Sequence, residues 1–216
     1  MKNPNCYSMK STTLLLLTCF LFSSCSFIAK ELVGFRSYQV LSEKKHKRLL
    51  RKMGASYEHA FLIDTNYINY LNLEDTVNSR LQKKNHAQPI QALYFGHQPY
   101  PEAWFINCYA PGIPNLNWNI DNAFGTFPPK SPVPLDSLLS FQQLFGLTIP
   151  LAGNSIPDNS LATPYTVVII WNRFIFRQSK RLNKYVQQNL KNSGVPYRIF
   201  YINNDNIFAF AEMEKQ

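Results

Sequence analysis

The groups in this chain that could do chemistry are few, and their spacing restricts what they can do. Cys108 lies in Ala103-Trp104-Phe105-Ile106-Asn107-Cys108-Tyr109-Ala110. A nucleophilic thiol needs a nearby base or cation to lower its pKa. No histidine stands beside it, so Cys108 reads as a buried, inert thiol in a strand. The histidines are His46, His59, His86 and His97, and no two share the i+3 or i+4 spacing of a helical metal pair. His97, in the turn Gly96-His97-Gln98-Pro99, is the one best placed for a site. Asp64 ends a buried-looking strand, where α/β proteins often place functional groups. Glu102, Asp121, Asp136 and Asp205 fall in or near loops and read as caps or turns. Asp136, before Ser137-Leu138-Leu139, suits helix capping. Nothing pairs two carboxylates for hydrolysis. The eight glycines are scattered and form no phosphate loop, and Gly153-Asn154-Ser155-Ile156 lacks the second glycine of a nucleophile elbow. The sequence assigns no catalytic residue, no metal ligand and no cofactor.

The most site-like stretch is Pro111 to Lys130. Trp118, Phe124 and Phe127 stand among Asn115, Asn117, Asn119 and Asn122. Flat apolar rings beside amide donors and acceptors suit a glycan or a peptide, which makes Trp118, Asn115, Asn117, Phe124 and Phe127 candidate binding residues. The alternative is that Trp118 pins the loop onto the sheet.

These groups must be positioned by elements that the periodicity outlines. Ser42 to Gly54 predicts a helix with Ser42 as N-cap, Gly54 closing it and six Lys or Arg along it. His59–Asp64, Pro89–Phe95 and Ala103–Tyr109 predict strands, with residues 66–84 mainly helical. Thr166–Trp171 predicts a buried strand. Ile175, Ser179, Leu182, Val186 and Leu190 mark one face of a long helix over 175–192. Pro196–Ile202 predicts another strand, and Asn203-Asn204-Asp205-Asn206 turns into Ile207-Phe208-Ala209-Phe210. Residues 59–109 and 166–210 thus share a strand-helix-strand-strand order, either by duplication or by ordinary alternation. The expected architecture is α/β, a central mixed sheet with flanking helices. It forms a single domain over 42–216 with a Pro-rich loop insertion at 110–136, and the stretch Pro134 to Ser140 then starts a short helix.

The start of the chain has a different texture. Lys2 and Lys10 precede the nine-residue apolar run Leu14–Phe22, and Ser23-Ser24-Cys25-Ser26 follow. A positive segment, a short apolar segment and small residues are the order of an export signal. A membrane-spanning helix needs about 20 apolar residues. Leu21-Phe22-Ser23-Ser24-Cys25 resembles the lipobox of bacterial lipoproteins. The resemblance implies a signal peptide over 1–24, lipid on Cys25, a lipidated tether over 25–41, and attachment to the inner or outer membrane of a bacterial cell envelope. The net charge is +9, and +7 without residues 1–24. That favours anionic partners, and export makes nucleic acid the least expected of them. Only Cys108 would then stay free, so no internal disulfide or Cys-based zinc site is expected.

Val167-Val168-Ile169-Ile170-Trp171, a four-residue link, a long helix and Tyr197 to Asn203 resemble, over about 45 residues, the thioredoxin-like fold. Where that family has CxxC, this chain has Ile175-Phe176-Arg177-Gln178, so the resemblance implies a fold neighbourhood without thiol–disulfide exchange. The functional expectation is a membrane-anchored envelope lipoprotein with a non-catalytic binding or adaptor role, its partner a glycan, peptide or protein. A basic helix next to the anchor offers a membrane-surface role. The alternative is a hydrolase-type enzyme with loop-borne residues.

Overall fold

The structure, a computed structural model, describes residues 35–72, 79–112, 114–135, 138–151, 153 and 165–213. Cys25 and the rest of the export segment lie outside the described residues, as do Asp136 and the Gly153-Asn154-Ser155-Ile156 stretch beyond Gly153. Six strands form one mixed sheet: β1 Ala60–Ile63, β2 Gln91–Phe95, β3 Ala103–Ile106, β4 Thr148–Pro150, β5 Tyr165–Trp171 and β6 Tyr197–Asn203. Their order is β3-β2-β5-β6-β1-β4. The central β5, β6 and β1 run parallel, and β2, β3 and β4 complete the sheet by antiparallel pairing.

Both faces are covered, which is why β2 and β5 read as unbroken apolar runs instead of alternating ones. Val167, Ile169 and Trp171 of β5 point to one face, with Ala92 and Tyr94 of β2. Val168 and Ile170 point to the other, with Leu93 and Phe95. The first face carries helix α1 (Glu43–Met53) and helix α5 (Phe176–Ser193). The second carries α2 (Asn66–Asn72), α4 (Phe141–Gly146) and α6 (Asp205–Met213), while α3 spans Ser79–His86. The predicted apolar face of α5 is the buried one: Ser179, Leu182, Val186 and Leu190 are sealed from solvent. Gly54 and Gly194 close α1 and α5 in the left-handed conformation. No helix among the described residues is long and apolar enough to cross a membrane.

Several expectations are corrected. Ser42 holds the N-cap position of α1, but its hydroxyl makes no capping bond. Its carbonyl instead takes the amides of Lys45 and His46. The short helix begins only after Ser140, which forms a capping box with Gln143. The hydroxyl of a residue just before the first turn can reach the third amide of the helix, so the cap falls at Ser140. The Ile207–Phe210 run lies inside helix α6, so the second half reads strand, helix, strand, helix. The two halves are therefore not copies of one pattern: β5 and β6 are parallel neighbours, whereas β1 and β2 are antiparallel and separated by β6 and β5.

The Pro-rich insertion is stitched to α5. Gln178 bonds Pro114 O and the amide of Leu116, Arg181 bonds Asn115 Oδ1 at 2.7 Å, and Asn189 bonds the carbonyls of Phe124 and Thr126. Trp118 is 1 % exposed and belongs to the core beneath α5. Burying so large a ring removes much apolar surface from water. Trp118→Ala is expected to cost about 3–5 kcal/mol of unfolding free energy, read by urea denaturation. An unchanged midpoint would show that the indole does not hold the loop down.

Candidate functional site

Parallel α/β sheets present loops at the carboxyl ends of their strands, and sites collect there. β5 and β6 end side by side, Trp171 opposite Asn203. The residues that follow are Asn172-Arg173-Phe174-Ile175 and Asn204-Asp205-Asn206. Asn172, Asn203, Asn204 and Asp205 are all buried, and so is His46 from α1. Five buried polar side chains at one edge need partners, because an unsatisfied one costs about 1–3 kcal/mol.

The network supplies them for all but Asp205 Oδ1. Asp205 Oδ2 accepts from the Arg173 amide and from Asn203 Nδ2, both at 2.7 Å. Asn203 Oδ1 accepts from the Asp205 amide and faces His46 Nε2 at 3.2 Å. His46 Nδ1 faces Ser42 O at 3.3 Å. A neutral imidazole has one N–H, so it donates to one of these oxygens at a time. Asn172 Nδ2 donates to Asn204 Oδ1 at 2.9 Å, and Asn172 Oδ1 accepts from the Phe174 amide at 2.6 Å. Asn204 Nδ2 reaches Pro89 O, and Asn206 Nδ2 reaches Ile63 O at 2.7 Å. The cluster therefore joins the start of α1, the ends of β1, β5 and β6, and the approach to β2.

Burial pushes the His46 pKa down and the Asp205 pKa up, and hydrogen bonds partly oppose both shifts. Asp205 Oδ1 is buried with no hydrogen-bond partner among the described residues, which is why burial dominates there. Beneath Asn204 lies a cavity of about 160 Å³, walled mainly by Tyr67, Leu71, Ile170, Ile207 and Phe208. Its lining is mainly apolar, with the amides of Asn72, Gln91 and Asn204 and the His86 ring among its walls.

The lead-in segment docks on the same edge. Phe174 is sandwiched between Phe35 (ring centroids 4.8 Å apart) and Tyr38 (4.4 Å), and Tyr38 also stacks on Phe208. Arg36 N donates to Phe174 O, and an Arg173 guanidinium nitrogen donates to Ser37 O at 2.7 Å. Residues 35–41, expected to be tether, are thus bonded to the folded body. This docking gathers cations. Lys45 is held below its ordinary pKa by burial, then by Arg173, Arg48 and Arg36. Arg173 is lowered by burial and by Arg36.

The other candidates fall elsewhere. Asp64 Oδ1 caps the start of α2 by accepting from Asn66 N. Cys108 is exposed on the 3-10 turn Asn107–Tyr109 that ends β3, not buried in a strand. Asn107 breaks the strand by turning its side chain back to the amide of Ile90. Partial burial pushes the Cys108 thiol pKa up, away from the thiolate that a nucleophile needs. His97 is an exposed turn residue at the opposite end of the sheet from Asp64 and Cys108. The latter two are four strands apart, roughly 19 Å at about 4.8 Å per strand. Glu102 accepts from the Tyr165 hydroxyl at 2.9 Å and lies so close to Gly96 that a Cβ there would collide with it.

Of the candidate binding residues, Trp118 offers no open ring face. Phe124 stacks between Phe105 and Tyr185, and Phe127 packs on Tyr165. Asn115 is held by Arg181, and the Asn117 amide donates to Pro111 O. The three rings are thus taken up in packing on the α5 face, while Asn115 and Asn117 stay exposed beside them. Among the described residues, no three His, Cys, Asp or Glu side chains converge as a metal site.

An acid whose folded pKa lies above its unfolded one favours folding most below the unfolded value, and that contribution is lost as pH rises through the folded value. Wild type is therefore expected to gain stability relative to Asp205→Asn as pH falls from about 7 to about 4. Urea denaturation across this range measures it, and the opposite trend would mean that the surrounding cations outweigh burial. No protein-family model matches the chain, and neither a curated protein nor a solved structure matches it.

Proposed function

We propose that this chain is a membrane-anchored lipoprotein of the bacterial cell envelope, lipidated on Cys25, whose folded part is a non-catalytic binding or adaptor module. The observation that carries this reading is the docked lead-in segment. Cys25 precedes Phe35 by ten residues, which reach at most about 35 Å when fully extended. A lipid on Cys25 would therefore hold the carboxyl edge of the sheet close to a bilayer, with its orientation limited by a rigid junction.

Charge supports the same reading. Helices α1 and α5 lie on one face of the sheet and carry eleven Lys and Arg against one Glu, a net +10 within 29 residues, when the whole chain is +9. Such a face attracts anionic surfaces. The β5–α5–β6 unit, where the thioredoxin-like resemblance lies, begins α5 with Phe176-Arg177-Gln178. The reading therefore includes no thiol chemistry there. The carboxyl-edge network ties loops to strands through amide groups, which suits a scaffold that holds a binding surface in shape. A glycan, peptide or protein ligand is part of the proposal.

Metabolic labelling with a palmitate analogue in bacteria, followed by membrane fractionation, tests it. Wild type is expected to be labelled and membrane-bound, and Cys25→Ala unlabelled. Equal labelling of both, or an unprocessed chain in the cytosol with its first residues intact, would remove the anchor.

A further inference from the structure

We infer that the surface where the lead-in segment meets the carboxyl edge is a bilayer-contact surface for the headgroups of anionic phospholipids. Arg36, Lys45, Arg48 and Arg173 meet phosphates there, and Phe35 and Val40 sit at headgroup level. The inference rests on the lipoprotein reading for its orientation and on the junction's own geometry for its chemistry.

Four features converge. First, hydrogen bonds bring the cations together: Arg36 and Arg173 are tied to each other's segments through Phe174 O and Ser37 O. Lys45 and Arg48 stand on the first turns of α1, which His46 and Asn203 clamp to the end of β6. Second, these cations have no ion-pairing acid among the described residues, where Lys47 pairs with Glu43. Asp205 attracts Lys45 and Arg173, but it is buried and engaged with Arg173 N and Asn203. Like charges gathered without ion-pairing acids repel one another, so an anion that joins them relieves an existing cost.

Third, Phe35 is 41 % and Val40 56 % exposed, although Tyr38 between them is stacked inward. Exposed aromatic and aliphatic groups interleaved with Lys and Arg are the composition of interfacial membrane contact, in which the apolar groups enter the headgroup boundary and the cations stay with phosphate. Fourth, the length of chain between Cys25 and Phe35 points to the occupant. The ten residues back to Cys25 are short enough that an acyl anchor confines this edge near lipid, where other polyanions are scarcer than headgroups. Polybasic segments beside an anchor act additively with it.

The test uses the full lipidated chain reconstituted in vesicles of phosphatidylcholine alone, or with one part in three phosphatidylglycerol. Lysine acetylation is read residue by residue by mass spectrometry. Lys44, Lys45 and Lys47 report the junction, and exposed Lys130 serves as the reference. Phosphatidylglycerol is expected to slow acetylation of the junction lysines roughly tenfold or more relative to Lys130, and high salt to abolish the difference. Arg36→Gln/Arg48→Gln, which alters only exposed side chains, is expected to lose the protection while keeping the Lys130 rate.

Equal acetylation of junction and reference lysines in both vesicles would overturn the inference. So would protection by a soluble polyanion but not by phosphatidylglycerol, which would give the surface to a glycan or an acidic protein. The two readings fail separately. If only the anchor is wrong, Cys25 carries no label but the phosphatidylglycerol-dependent protection persists. If only the surface is wrong, the chain is labelled and membrane-bound but its junction is equally reactive in both vesicles.

Discussion

The fold depends on one demand: the polar backbone at the carboxyl ends of β5 and β6 must find partners away from water. Asp205 meets it by reaching across to the amide of Arg173, which joins the β6–α6 turn to the β5–α5 loop. Asn172 and Asn204 repeat the link one residue closer to the strands, and Ser179 closes it from α5 by bonding both the amide and the carbonyl of Asn172. Without these bonds the two loops would have to open to solvent. The helices they launch would then lose the angle at which each packs on its face of the sheet. An apolar core could form without the network, but not with both crossings fixed.

That dependence explains what the sequence shows and what it hides. The strands and the face of α5 are legible because burial on a regular element leaves a periodic trace: Leu182, Val186 and Leu190 declare themselves by spacing. Gln178, Asn183 and Asn189 lie on the same helix and are also buried, yet no periodicity marks them. Their partners are Pro114, Met53 and Phe124, each more than sixty residues away. The carboxyl-edge cluster is hidden for the same reason. Asn203-Asn204-Asp205-Asn206 looks like a solvated turn until β5 is known to lie beside β6.

The misread segments follow physical rules as well. Ile207-Phe208-Ala209-Phe210 is a four-residue apolar run, too short for periodicity to separate strand from helix. Asp205 at its start, an acid in the first turn, was the available helix signal. The aromatic loop has the composition of a binding surface, but composition does not say which way a ring points. A large indole near α5 gains more from the core than from solvent. Cys108 fell outside its strand because Asn107 uses its side chain locally, as asparagine often does.

The sandwich of Phe174 between Phe35 and Tyr38 has a mechanical consequence. A pull applied at Phe35 would not begin by peeling that residue away alone. It would load the stacked rings and the Arg36–Phe174 bond, and through them the short loop that follows β5 in the middle of the sheet. β5 is bonded along its length to β2 and β6, so the force would act on many bonds in parallel rather than one at a time. Force entering at Phe35 would thus reach the middle of the sheet through the stacked rings with little slack.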